Sequence, residues 1–174
     1  MTTLSPFTCR DLLRYNAVNV DALTETYGLR FDLHYLSTWP EMFTCARDRE
    51  GDPCGYVMGK VEGSGELWHG HVTAVTVAPT HRRQGLAREL MGALERATED
   101  ANDGYFVDLF VRVSNKLAIG MYEKFGYSVY RRVLNYYSGE EDAFDMRKAM
   151  RRDVAKKSVV PSEKDWHPWE LEWT

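Results

Sequence analysis

The sequence predicts one α/β domain with a mixed central sheet flanked by about four helices. The first observation is the apolar, β-branched run 72–77, which is typical of a buried strand and stops at Pro79. The second is the helical spacing of apolar residues that begins at Leu86, directly after this strand. The third is a second strand followed by a helix, because the apolar run 105–113 also precedes a stretch with helical spacing of apolar residues. Strands that alternate with helices in this way indicate a layered α/β fold.

Length and composition limit the possible functions. The chain has 174 residues, of which 44% are hydrophobic and 28% charged, as expected for one globular domain with a sizeable core. The net charge of −4 argues against direct nucleic-acid binding. We find no signal peptide and no apolar run of membrane length, so no membrane partner is expected. Cys9, Cys45 and Cys54 lack metal-binding or redox spacing, which indicates inert thiols in the reducing cytoplasm and no metal.

The first half of the chain alternates short strands with helices. Residues 2–7 form a strand, and the T-C-R-D pattern at 8–11 is typical of a helix cap, so a first helix should follow. A polar loop at 23–28 leads to a second helix from Phe31 to Trp39, which Pro40 ends. The apolar residues of these two helices can cover the core or receive a partner. A hairpin comes next, with strands at 42–47 and 55–61 and a turn at 48–53.

The second half contains four predicted strands and two predicted helices. The strands begin near 69 and lie at 105–113, 127–137 and 143–150, and the helices lie at about 86–101 and 114–125. Together with the first half they form a predicted domain at 1–150. The remaining tail, 151–174, is charged but contains Trp166, Trp169 and Trp173. We expect this tail to be poorly structured alone and to dock on the domain or on a partner.

The turn between the strand 72–77 and its helix is a candidate anion site. Backbone N–H groups and the helix dipole converge at a helix N-terminus, and Gly85 lets the backbone approach a phosphate closely. Arg82 and Arg83 add positive charge. The alternative is an ordinary turn that carries surface arginines. A phosphate-bearing ligand is the hypothesis that the physical chemistry favours.

Two sequence motifs resemble those of a known family that binds a phosphate-bearing cofactor. The R-R-Q-G-L-A segment at 82–87 resembles the Q/R-x-x-G-x-G/A pyrophosphate loop of the GNAT acetyltransferases, and the S-N-x-x-A-x-x-x-Y-x-x-x-G-Y run at 114–127 resembles their second signature. The resemblance implies the GNAT fold and acetyl-CoA as cosubstrate. It assigns cofactor contacts to a set of residues in and around the two motifs: Val75, Val77, Arg82, Arg83, Gln84, Gly85, Leu86, Ala87, Asn115 and Tyr122.

A closer resemblance covers nearly the whole chain. The blocks L-T-E-T-Y-G, W-H-G-H-V-T-A and F-V-D-L-F-V-R-V-S-N are similar to those of catalytic subunits in the NatB class of N-terminal acetyltransferases. That class acetylates the α-amine of proteins that begin Met-Asp, Met-Glu, Met-Asn or Met-Gln. The resemblance implies a heterodimer with a large helical-repeat auxiliary subunit, an association with ribosomes through that complex, and a cytoplasmic location.

The family assigns a catalytic role to Tyr122, whose hydroxyl would protonate or hydrogen-bond the leaving thiolate. Without the motif, a core aromatic residue on an amphipathic helix would be the better interpretation of Tyr122. Asn115 would contact the cofactor, and its alternative is a plain helix cap.

The substrate residues are expected on one strand and two loops. His71 and Thr73 alternate along the strand and share a face with Val75 and Val77. In the family they hydrogen-bond the second side chain of the peptide, and His71 is also a candidate base. The resemblance places Glu25 and Tyr27 on one side of the peptide groove, and Tyr136 and Tyr137 on the other. Glu25 would receive the ammonium or relay its proton. The alternative for each of these four residues is a solvated loop residue, which is the better interpretation of Glu25 taken alone.

One position departs from related enzymes. Several N-terminal acetyltransferases have L-H-V-R before S-N, whereas this chain has L-F-V-R with Phe110 in place of the histidine. Since a phenyl ring cannot move a proton, the base must lie elsewhere or act through water. Two alternatives to the leading hypothesis are a GNAT enzyme for another amine, such as lysine, and a non-catalytic domain that binds acyl-CoA.

Overall fold

The computed structural model describes residues 2–20, 25–138 and 140–171. Its strands are β1 (Thr3–Pro6), β2 (Phe43–Arg47), β3 (Pro53–Glu62), β4 (His69–Val77), β5 (Phe106–Arg112), β6 (Ser128–Tyr137) and β7 (Glu141–Ala149), in the sheet order β1-β2-β3-β4-β5-β7-β6. Within the described ranges the α-helices are α1 (Leu29–Thr38), α2 (Leu86–Arg96) and α3 (Lys116–Lys124). The predicted α/β class is confirmed.

The chain divides into two compact units. The first consists of Met1–Lys60 and Val72–Ala101, and the second of Val61–His71 and Asn102–Thr174. Strand β4 therefore contributes its first residues to the second unit and the rest to the first. The predicted boundary between a domain at 1–150 and a tail at 151–174 stays a prediction.

The predicted helix after Thr8 is wrong. Its place is taken by two 3-10 turns, Asp11–Leu13 and Tyr15–Ala17. The buried apolar residues described in this segment, Leu12, Tyr15 and Val18, are spaced by three, which matches the period of a 3-10 helix better than 3.6. The capping interaction is present, since the Asp11 carboxylate accepts from the backbone N–H and the hydroxyl of Thr8. A capping pattern alone therefore did not distinguish the two helix types.

The core of the first unit is aromatic. Phe7 stacks on Phe43 with ring centroids 4.0 Å apart, and Tyr56 meets both rings at 6.0 Å. Helix α1 adds Tyr35, which is buried in the same cluster. Pro40 follows the end of α1, as predicted, and begins a short 3-10 turn. The aromatic contacts fix α1 on the strands of this unit through its buried face.

A buried ion pair ties the 3-10 segment to β2. Asp11 is 2% exposed, and Arg47 donates to its two carboxylate oxygens from Nη1 at 2.6 Å and from Nη2 at 2.8 Å. Burial raises the pKa of Asp11, but the hydrogen bonds from Arg47 and Thr8 outweigh it and lower the pKa below its usual value.

We predict that Asp11→Ala destabilises the protein by about 3–5 kcal/mol, because it leaves Arg47 partly buried without its partner. The lowered pKa of Asp11 means that its stabilisation is present above the unfolded value near 3.8 and is lost as the pH falls further. Thermal unfolding between pH 3 and pH 7 measures both effects. Asp52→Ala removes an exposed carboxylate beside Arg14 and should cost much less. Equal losses in the two variants would contradict the prediction.

The tail follows β6 in the second unit. The Ser162 N–H donates to the Tyr130 carbonyl, the Trp166 N–H to the Arg132 carbonyl, and the Leu134 N–H to the Trp166 carbonyl, at 2.7–2.9 Å. Leu171 is buried. Trp169 is 78% exposed and stacks on His167, while Trp173 lies outside the described residues. Trp166 thus forms an isolated parallel bridge with Val133, and Ser162 adds one more backbone hydrogen bond to β6.

Candidate active site

The candidate pyrophosphate loop lies in the first unit, between a short turn at Pro79–His81 and helix α2. Gly85 is the N-cap of α2 and has φ = 87°, a left-handed conformation that favours glycine. Among the described residues no side chain caps this helix end, so the first N–H groups of α2 are available to a ligand. A helix N-terminus of this kind suits an anion.

The other predicted cofactor residues of the first unit frame this loop. The Nε of Arg82 donates to the Val77 carbonyl at 3.0 Å and so ties the loop to the end of β4. Arg83 and Gln84 are exposed. Val75 and Val77 are half-buried on β4, whereas Leu86 is buried under the helix and Ala87 is half-buried. The loop therefore combines helix amides with exposed cationic and amide side chains.

We predict that Gly85→Ala raises the KM for acetyl-CoA about tenfold with little effect on the fold. A left-handed conformation costs an alanine about 1–2 kcal/mol, so the loop should leave the conformation that presents the N–H groups of α2 to the phosphate. The added Cβ meets no described atom within 4 Å, so packing around the loop should not change. Gly92→Ala on the same helix is the control, since its Cβ would meet only the flexible end of Arg96. Steady-state kinetics with varied acetyl-CoA make the test, and an unchanged KM for Gly85→Ala would refute it.

The predicted cofactor residues of the second unit lie on α3. Tyr122 is 9% exposed, and its ring meets Tyr127 edge-on with centroids 6.0 Å apart. Burial raises the pKa of Tyr122 to about 12, so the hydroxyl is protonated at neutral pH and can donate. Asn115 caps α3, because its Oδ1 accepts from the Ala118 N–H at 3.1 Å. This is the structural role that we weighed against a cofactor contact, and it does not exclude that contact.

Three of the predicted substrate residues lie together in the second unit. His71 is buried, with Nδ1 2.7 Å from Asp108 Oδ1 and its ring centroid 5.7 Å from Phe110. Phe110 stacks on Tyr136 with centroids 4.7 Å apart. Tyr137 meets Tyr136 edge-on and donates its hydroxyl to the Phe110 carbonyl at 3.1 Å. Phe110, which cannot act as a base, therefore packs between His71 and Tyr136 in an aromatic cluster.

The other three predicted substrate residues belong to the first unit. The Tyr27 hydroxyl donates to the Thr73 carbonyl at 3.3 Å, and the Thr73 hydroxyl donates to the Tyr35 hydroxyl at 3.0 Å. Glu25 is exposed. Burial, and then the charge of Glu25, raise the pKa of Tyr27 to about 12. Tyr35, which the sequence analysis missed, stacks with Phe31 one turn earlier, and its spacing on α1 was the available signal.

Asp108 is a second residue that sequence reasoning missed. It is 4% exposed, and a carboxylate inside the apolar run 105–113 signals a partner, since charged groups are rarely buried alone. Its partners are His71 and His69, whose Nε2 lies 3.5 Å from Asp108 Oδ1. Burial alone would raise the pKa of Asp108, but His69 and His71 hold it well below its usual range. Asp108 is therefore a carboxylate in the folded protein.

A cavity of about 280 Å³ lies beside Asp108 in the second unit. Ionisable and aromatic side chains dominate its wall, and the tail contributes to it. Its lining includes Glu62, His69, Phe106, Asp108, Phe110, Tyr130, Arg131, Arg147, Trp166 and Leu171. Within the described ranges there is no cluster of three or more His, Cys, Asp or Glu side chains that could hold a metal. No helix among the described residues is long and apolar enough to cross a bilayer.

Comparison with known proteins gives consistent results. The profile of the acetyltransferase (GNAT) family matches residues 12–127. The chain is 60% identical to N-alpha-acetyltransferase 20 of Dictyostelium discoideum, over 97% of both chains. It is 58% identical to the N-terminal acetyltransferase B complex catalytic subunit of Arabidopsis thaliana, over 99% of both. Among solved structures it resembles Naa20 of Chaetomium thermophilum in complex with a bisubstrate analogue, with a TM-score of 0.89, 43% identity and coverage of 96% of this chain and 97% of the other.

Proposed function

This chain belongs to the GNAT acetyltransferase family, and from that premise we propose that it acetylates protein N-termini as a NatB-type catalytic subunit. It transfers acetyl from acetyl-CoA to the α-amine of chains that begin Met-Asp, Met-Glu, Met-Asn or Met-Gln. The observation that carries this proposal is the near full-length similarity to NatB catalytic subunits, at 58% identity over 99% of the chain. The intact pyrophosphate loop and Tyr122 support an active enzyme.

Direct attack by the amine suits this chain. An α-amine has a pKa of about 7.7–8.0, so roughly a tenth is neutral at pH 7, whereas a lysine amine near 10.4 needs a stronger base. The amine nitrogen forms a bond to the acetyl carbon while the bond from that carbon to the sulfur breaks. Tyr122 donates its proton to the leaving sulfur, and the proton lost by the amine passes to a base or to water. A neutral phenol is the required form of Tyr122, in keeping with its raised pKa.

We assign the cofactor contacts by chemistry. The N–H groups at the start of α2, with Arg82 and Arg83, hold the pyrophosphate. The backbone of β4 at Val75 and Val77 bonds the pantetheine arm, and Asn115 adds a contact from the start of α3. The uncapped end of α2 and the left-handed Gly85 support this assignment.

We assign the substrate contacts to the residues that the family places around the peptide. His71 and Thr73 hydrogen-bond the second side chain of the substrate, which favours Asp, Glu, Asn and Gln over apolar residues because buried donors would otherwise go unpaired. Tyr27, Tyr136 and Tyr137 flank the peptide. The exposed Glu25 attracts the ammonium or relays its proton through water. This leaves His71 and Glu25 as the candidates for the base.

The catalytic chain works with a partner in this proposal. Relatives have been solved as the NatB acetyltransferase complex, one of them bound to a bisubstrate inhibitor, with 40% identity to this chain and a TM-score of 0.86 over 98% of it and 99% of the other. We propose a large helical-repeat auxiliary subunit, ribosome association through the complex, and a cytoplasmic location. Three exposed leucines support a partner surface on the first unit, at Leu13, Leu29 and Leu33. Their exposure agrees with a partner-facing role for this segment.

A peptide panel tests the proposed function. The full chain, with and without a co-purified large partner, is given acetyl-CoA and peptides that begin Met-Asp, Met-Glu, Met-Asn, Met-Leu or Ser-Glu. An N-blocked peptide with an internal lysine completes the panel. Turnover confined to the Met-acidic and Met-amide peptides is the expected result. Turnover of the lysine peptide alone would overturn the substrate class, and acetyl-CoA binding without any turnover would favour a non-catalytic domain.

A further inference from the structure

Asp108 fixes which nitrogen of His71 can meet a ligand. Because Asp108 is a carboxylate, it can only accept, so the His71 Nδ1 that lies 2.7 Å away must carry a proton. Any hydrogen bond between His71 and the substrate is then made by Nε2. In neutral His71 this atom accepts, and in the imidazolium it donates.

His69 is a second histidine that lies close to Asp108. The Leu67 carbonyl lies 2.6 Å from His69 Nδ1 and can only accept, so Nδ1 carries a proton. The Nε2 of His69 lies 3.5 Å from Asp108 and 3.8 Å from Glu62. The ring is held in place by stacking on Phe106 with centroids 4.5 Å apart. Asp108 thus lies close to two histidine rings, and its charge, 2.7 Å from the His71 Nδ1, favours the protonated form of His71.

The four proposed substrate classes differ in the hydrogen-bonding groups that their second side chain offers to the His71 Nε2. A carboxylate of Asp or Glu only accepts, so it needs the His71 imidazolium. An amide of Asn or Gln can turn its oxygen to a donor or its NH₂ group to an acceptor, so it suits both protonation states. A single histidine can therefore serve both substrate classes, but the balance between them must follow its protonation.

We propose that Asp108 is a positioning residue that sets the preference between acidic and amide second residues by holding His71 with Nε2 toward the substrate and favouring its imidazolium. This deepens the proposed function and rests on it, and because an imidazolium cannot take up a proton, it leaves Glu25 or water as the base for acidic substrates. Asp108, on β5, is the group that faces His71, and it lies among several other charged or titratable groups of the second unit: His69 on β4, Glu62 on β3, Arg147 and Asp145 on β7, and Tyr130 and Arg131 on β6. Tyr136, also on β6, stacks on the Phe110 ring beside His71. The Asp108 Oδ1 lies within hydrogen-bond distance of the His71 ring.

The test compares kcat/KM for a Met-Asp peptide with that for the matched Met-Asn peptide between pH 6 and pH 9, using the full chain with its partner. Taking the ratio cancels the titration of the α-amine and of any shared catalytic group. In the wild type the ratio should fall about tenfold per pH unit above the pKa of His71, since only the acidic peptide needs the imidazolium. In Asp108→Asn the fall of the ratio should begin at least about one pH unit lower, because without the negative charge of Asp108 the His71 imidazolium loses its proton at a lower pH.

Two further variants keep the test decisive. His71→Gln should make the ratio independent of pH, and His34→Gln, which changes an exposed histidine on α1, should keep the wild-type profile. If Asp108→Asn does not fold, the contrast between the wild type and His71→Gln still decides. The proposal is overturned if the wild-type ratio does not change with pH. It is also overturned if Asp108→Asn gives the wild-type pH profile of the ratio while kcat/KM falls equally for the two peptides. Failure of the proposed function looks different, because the wild type would then acetylate neither peptide and the proposal would fall with it.

Discussion

Replacing Tyr122 by phenylalanine is expected to lower kcat by about 100-fold or more, the usual scale for losing a general acid. The hydroxyl is the only group removed, and α3 keeps its buried ring, so the fold should not change. The KM for acetyl-CoA should change little, because the pyrophosphate contacts are made by other residues. Steady-state kinetics on a Met-Asp peptide measure both constants.

Tyr127→Phe is the matched control for this variant. Tyr127 is also buried, at 3% exposure, and meets the Tyr122 ring edge-on, so its loss tests the effect of removing a neighbouring hydroxyl. We expect Tyr127→Phe to retain most of its turnover. Equal losses in the two variants, or full turnover in Tyr122→Phe, would remove Tyr122 from the reaction.

Asp145→Ala is expected to destabilise the protein by about 3–5 kcal/mol, enough to threaten folding of the second unit. Asp145 is fully buried on β7, where Arg131 donates to it at 2.8 Å and Arg147 at 3.1 Å. Both guanidinium groups also lie over aromatic rings, Arg147 on Tyr130 at 3.6 Å and Arg131 on Trp166 at 4.6 Å. Without the carboxylate, two partly desolvated cations would face each other unpaired.

Thermal unfolding measures this loss, which corresponds to a drop in Tm of roughly 6–20 °C at about 2–4 °C per kcal/mol for a chain of this size. Asp142→Ala is the control on the same strand, since its partner Arg132 is 46% exposed in the side chain and water can replace the contact. A Tm of Asp145→Ala within about 2 °C of the control would contradict a structural role for the buried pair.

The local parts of the candidate site were predictable because their signals lie close together in the sequence. A strand, a glycine turn and a helix within 72–94 are enough to predict an anion site at the start of α2, and the structure has these elements with Gly85 at the N-cap. The same holds for α3, where Asn115 and Gly126 bound the helix on either side. Helix boundaries shifted by only a few residues, and the end of α2 continues as a π-helical turn at Ala97–Ala101.

Contacts across strands were not predictable from the sequence. His71 and Asp108 are 37 residues apart, and their pairing depends on a strand register that no local pattern reveals. The same reason hid the Arg131–Asp145–Arg147 group, whose members come from two strands. The prediction of a helix after Thr8 failed for a different reason. Over so short a stretch, a capping motif followed by buried apolar residues three apart looks the same in an α-helix and in a 3-10 turn.

The backbone pairing of residues 162–166 with β6 has a consequence for handling this chain. Strand β6 is the last strand in the sheet order, and such a strand offers unpaired N–H and C=O groups to any other extended chain. Ser162 and Trp166 use these groups within the same molecule. A protein shortened at Val160 would lose this cover and expose a bare sheet edge. We therefore expect such a truncation to form oligomers or precipitate on concentration, a failure of colloidal behaviour that an activity assay at low concentration would miss.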